Sequence, residues 1–92
     1  MSTQKITVRY SAAARAAAGT DQDELTVDGP ITLAEVVRRA VAGHPEGRLP
    51  GVLEVCSVLV GDRPVKTQDP AVVEVRPGDS VEFLPPFAGG SR

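Results

Sequence analysis

The segment from Ile31 to Val41 carries two helix-start signals and one apolar stripe, and it limits the folds open to the whole chain. Thr32 and Glu35 stand at the spacing of a capping box, in which the cap hydroxyl accepts from the third helical amide. Ile31 before the cap and Val36 at the fourth helical position add a hydrophobic staple. Leu33, Val36, Val37, Ala40 and Val41 recur at three- and four-residue steps, while Glu35, Arg38 and Arg39 fall on the outward side. Gly43 and Pro45 stop the helix. One helix with one stripe cannot enclose a core, so the stripe must lie on something flat and apolar.

Segments of strand character flank the helix on both sides. Lys5 to Tyr10 alternates, with Ile6, Val8 and Tyr10 on one face and Lys5, Thr7 and Arg9 on the other. Ser11 is placed to cap a short alanine-rich helix, Ala12 to Ala18, which Gly19 closes. Asp23 to Val27 alternates again with Leu25 and Val27 inward, and Asp28-Gly29-Pro30 turns it, so the first two strands form a hairpin-like pair. Past the helix, Gly43 to Gly51 reads as a loop and Leu53 to Val60 as a strand with Val58 and Val60 inward, turned by Gly61-Asp62. Val72 to Val75 reads as a short strand, and Arg76-Pro77-Gly78-Asp79 as a type II turn. Ser80 to Leu84 is the last strand, with Val81 and Phe83 inward and Leu84 pointing away. The expected class is α+β, a β-grasp in which a mixed sheet of four to five strands packs on one main helix over residues 1–84, followed by a tail at 85–92. A chain of this length buries about 63% of its unfolded surface, enough for one small core.

Composition narrows the function. Three aromatics (Tyr10, Phe83, Phe87), no Trp and a net charge of −2 provide neither a stacking platform nor a field for phosphate backbones, which excludes nucleic acid as a partner class. No apolar run approaches the roughly 20 residues needed to cross a bilayer. The lone Cys56 has no disulfide partner, and the N-terminus lacks a signal-peptide core, so the expected location is the cytoplasm. His44, the only histidine, is read as an exposed structural residue, and Cys56 as a core residue of the expected strand Leu53 to Val60. Asp21, Asp23 and Glu24 read as a solvated face, and no residue spacing suits a metal or a catalytic nucleophile. Neither cofactor nor catalytic residue is expected within the domain.

The informative stretch is Phe83-Leu84-Pro85-Pro86-Phe87-Ala88-Gly89-Gly90, which passes from a strand into side chains of shrinking size. Two prolines keep the exit extended and reduce the entropy lost on docking, Phe87 offers an apolar anchor, and Gly89 and Gly90 have no Cβ to obstruct a narrow channel. The pattern is that of a tail made for insertion into another protein.

Together with Val8 to Gly19, the helix from Thr32 and the turn Pro77-Gly78-Asp79 before Val81, this tail resembles the small sulfur-carrier family of ubiquitin-like β-grasp proteins. The likeness is greatest to the small subunit of molybdopterin synthase (MoaD-like) and more distant to the thiamine sulfur carrier ThiS. The resemblance implies that Gly90 is the reacting residue. A partner resembling a ubiquitin-activating enzyme would adenylate its carboxylate with ATP, and a sulfur donor would convert the product to a thiocarboxylate. It implies further that Leu84, Pro85, Pro86, Phe87 and Gly89 serve docking and insertion into a large catalytic subunit, where sulfur passes to a pterin to form molybdopterin. Gly90 is followed by Ser91 and Arg92, so a processing peptidase must first expose its carboxylate. The alternatives are thiocarboxylate carriage for thiamine or cysteine synthesis, a ubiquitin-like protein modifier, and a non-catalytic β-grasp binding module.

Overall fold

The computed structural model describes residues 4–45 and 47–86. The elements run β1 (Gln4–Tyr10), α1 (Ala13–Ala18), β2 (Gln22–Val27), β3 (Ile31–Thr32), α2 (Leu33–Ala42), α3 (Leu49–Val55), β4 (Ser57–Val60), β5 (Arg63–Pro64), a 3₁₀ turn (Pro70–Val72), β6 (Glu74–Val75) and β7 (Ser80–Leu84). Five strands form a mixed sheet in the order β2-β1-β7-β4-β5, and β3 and β6 make a small second sheet. This is the ubiquitin-like β-grasp.

The central pair, β1 and β7, is parallel and comes from opposite ends of the chain, with Val8 opposite Val81 and Tyr10 opposite Phe83. β2 flanks β1 and β4 flanks β7, both antiparallel. Alternation works as the pattern requires: Ile6, Val8, Tyr10, Val81 and Phe83 are all buried, and Leu33, Val36 and Ala40 of α2 complete the core. The start of α2 is held twice. The Thr32 hydroxyl accepts from the Glu35 amide at 3.1 Å, and the Leu33 amide donates to the Val73 carbonyl at 2.8 Å, so two of the orphan donors of the first turn are satisfied. The Glu35 side chain does not close the capping box; it lies between Arg38 and Arg39, with contacts of 2.6 and 2.7 Å. Gly78 adopts φ 92, as the third position of a type II turn demands, and the Asp79 amide closes that turn onto the Arg76 carbonyl at 2.9 Å.

Four expectations are corrected. Leu49 to Val55 is a helix, not loop and strand, and β4 starts only at Ser57. Leu49, Val52, Leu53 and Cys56 fall at steps of three and four and supply its inner side, with Leu49 and Leu53 buried. The β-branched run that followed Pro50-Gly51 concealed this period. Cys56 is therefore the cap of α3, half-buried against the core, and not a strand residue. Ser11 does not cap α1: the residue before that helix is Ala12, at φ 51 and with no side-chain bond, while Ser11 accepts from the Ala14 amide through its backbone carbonyl. Of the predicted strand Val72 to Val75, only Glu74–Val75 pairs, because Pro70–Val72 forms the 3₁₀ turn capped by Asp69.

Candidate functional site

β7 delivers the tail. Val81 and Phe83 face the core while Glu82 and Leu84 face the other side of the sheet, where both are half-buried. Leu84 pairs with Ser57, the first residue of β4, and the Ser11 amide donates to the Phe83 carbonyl at 3.2 Å just after β1 has ended. Both neighbouring strands stop at this level. Pro85 and Pro86 are exposed and have no amide hydrogen, so the chain leaves the sheet at the point where no strand remains to pair with it. Phe87, Gly89 and Gly90 lie outside the described residues.

The corner from which the tail departs is built on Phe83. Its ring is 1% exposed and stacks on Tyr10, with centroids 6.2 Å apart and planes at 15°. The Tyr10 hydroxyl donates to Asp23 Oδ2 at 2.8 Å, and His44 Nε2 lies 2.6 Å from the same oxygen. A carboxylate only accepts, so the imidazole donates from Nε2. The His44 ring also meets the Tyr10 ring edge-on, at 6.0 Å and 89°. Burial, the bond to Asp23 and its negative charge together push the Tyr10 phenol well above its ordinary pKa.

His44 is thus not an exposed loop residue, and Asp23 is not part of a solvated face. The side chains are only 20% and 29% exposed. The signal for Asp23 was present in the sequence: it has the same strand parity as Leu25 and Val27, which places it on the inner face beside Tyr10. Nothing local pointed to His44, which reaches this corner because α2 ends there. Cys56 lines a cleft of about 380 Å³ with Leu33, Val37, Leu53, Val58 and Phe83. Burial raises its thiol pKa, which keeps it a protonated, weakly nucleophilic packing group. Among the described residues no cluster of three His, Cys, Asp or Glu is placed to hold a metal ion, and no helix is long and apolar enough to cross a membrane.

The profile of the ThiS family matches residues 8–90. The chain belongs to the ThiS family. The match includes both glycines and stops at Gly90. No curated protein matches the sequence. Among solved structures, the HVO 2177 protein of Haloferax volcanii is 28% identical at a TM-score of 0.74, over 96% of this chain and 88% of that one. A putative molybdopterin converting factor, subunit 1, from Pyrococcus furiosus is 21% identical at 0.69, over 91% and 99%. The small archaeal modifier protein 1 of Methanosarcina acetivorans is 18% identical at 0.72, over 98% and 100%. The last two likenesses are of fold. In this member of the ThiS family the tail leaves from the central strand of the sheet.

Proposed function

We propose that this chain is a sulfur carrier whose Gly90, once freed of Ser91 and Arg92, is activated and loaded with sulfur. The observation that carries the reading is the exit of β7: the strand ends against both neighbours at once, two exposed prolines follow, and the family match stops at Gly90. A carboxylate is a poor electrophile. Attack of the Gly90 carboxylate on ATP releases pyrophosphate and makes an acyl-adenylate; a sulfur nucleophile then forms the C–S bond as the C–O bond to AMP breaks. The activating partner binds the ATP, and this chain holds no cofactor. Leu84, Pro85, Pro86 and Phe87 are the contacts for the activating partner and for the large subunit that receives the tail, with Gly89 giving the segment its narrow section. The order Pro-Pro, apolar, small, Gly-Gly favours molybdopterin synthesis as the destination of the sulfur.

An accurate intact mass of the untagged protein from its own cells tests this. The expected species ends at Gly90 and carries an oxygen-to-sulfur exchange, resolved from oxidation of Met1. A population ending only at Arg92 and free of sulfur under sulfur-replete growth overturns the reading in favour of a binding module. Higher-mass adducts joined through Gly90 to lysines of other proteins assign the chain to the modifiers instead. Deleting residues 89–92 abolishes sulfur loading while leaving the melting temperature unchanged, since they lie beyond the last core strand.

A further inference from the structure

We propose that His44, Asp23 and Tyr10 are positioning residues for the tail: one carboxylate oxygen ties three segments together at the corner where β7 releases it. The functional part of this proposal rests on the sulfur-carrier reading; the mechanical part does not.

The connection is continuous. His44, just past α2, and Tyr10, the last residue of β1, both bond to Oδ2 of Asp23 near the start of β2. Tyr10 stacks on Phe83, and the next amide of the chain, that of Ser11, holds the Phe83 carbonyl. Leu84 follows directly and has β4 on one side only at its very first residue. The direction in which Leu84, Pro85 and Pro86 leave is thus set by the seating of Phe83, and that seating depends on Tyr10. With Oδ2 shared, a change in either donor is felt by the other. Among the described residues, the groups facing His44 are Asp23 from β2, Tyr10 from β1, and the uncharged Ala17 and Ala18 from α1. The nearest α1 charge, Arg15, is well exposed and paired with Asp21 at 3.6 Å.

The test uses the full chain, labelled with nitrogen-15, and the residual dipolar couplings of the Ser11 and Leu84 amides measured under one set of conditions in the wild type, His44→Ala, Tyr10→Phe and the double variant. Dipolar couplings report bond direction, so a mere field effect on chemical shift does not register. In His44→Ala, which removes one donor to Asp23 Oδ2, both couplings differ from those of the wild type. In Tyr10→Phe, which keeps the ring on Phe83 but loses the bond to Asp23, the Leu84 coupling shifts as well, and adding His44→Ala to it produces no further change. Couplings in His44→Ala equal to those of the wild type, or effects of the two substitutions that simply add, overturn the proposal. In cells, His44→Ala lowers the share of chains bearing the Gly90 thiocarboxylate by about tenfold, within the loss that a misplaced reacting group can cause, and His44→Gln, whose amide can still donate to Asp23, restores most of it. Thr32→Ala, which weakens the fold far from this corner, serves as the control and keeps its share. An unchanged share in His44→Ala overturns the positioning role; a wild-type chain that never carries sulfur overturns the carrier reading and leaves the couplings to decide the mechanical claim.

Discussion

The two faces of the five-stranded sheet are made from alternate residues of the same strands, and they do different work. On the inner face Ile6, Val8, Val81 and Phe83 are at most 1% exposed and meet the stripe of α2. On the outer face Lys5 pairs with Glu24 at 3.1 Å, with both side chains about half exposed, and Arg9 stands opposite Glu82 in register. Contacts of the first kind hold the domain together, because burial of apolar area scales with what is removed from water. Exposed ion pairs contribute little, because water and salt screen them. Phe83 and Leu84 bring this contrast to adjacent residues at the root of the tail: one anchors the strand, and its neighbour is left for a partner.

The sharpest test of that contrast replaces each in turn. Phe83→Ala removes the largest fully buried side chain among the described residues and the surface on which Tyr10 stacks, and should cost about 3–5 kcal/mol, a large share of the roughly 5–15 kcal/mol typical of a small domain. Leu84→Ala should cost under about 1 kcal/mol yet reduce sulfur loading. Denaturant titration together with intact mass separates the two; equal losses of stability would erase the distinction between the faces.

Tyr10→Phe is next in size. It keeps the stack on Phe83 but removes the donor to Asp23, at an expected cost of about 1–2 kcal/mol. The phenol is the only one in the chain, so its ionisation can be followed directly by absorbance. Its pKa is raised in the folded state, chiefly by burial and then by Asp23, so its contribution is fully present below the ordinary value of 10.0 and is lost as pH climbs beyond it, where the unfolded chain ionises first. The wild type should therefore lose stability more steeply than Tyr10→Phe above that pH, and phenolate absorbance should appear together with unfolding.

Thr32→Ala should cost about 1 kcal/mol through the lost cap, with Thr32→Ser restoring most of it. The smallest effect is expected on the acid side. Arg38 first, and then Arg39, lower Glu35 from 4.5 to about 2, so its contribution is complete above the higher value and disappears as pH falls toward the lower one. Glu35→Gln should flatten that part of the acid-unfolding curve, and added salt should shrink the difference.

What the sequence determined by itself was whatever depends on neighbours within one turn or one strand. Strand parity placed Ile6, Val8, Tyr10, Val81 and Phe83 inward; the cap at Thr32 and the turn at Gly78 were readable because each rests on a side chain or a φ angle at a fixed offset. The end of β7 at Pro85-Pro86 was readable for the same reason, since a missing donor is a property of the residue. The tertiary structure alone decided the parallel pairing of β1 with β7, the packing of α3 and the meeting of His44 with Asp23 and Tyr10. Leu49 to Val55 carries both a helical period and β-branched residues, and its burial against the core settles between them. His44 has no local instruction at all: its partners arrive from β1 and β2, and only the closing of the sheet beneath α2 brings the three within hydrogen-bond reach.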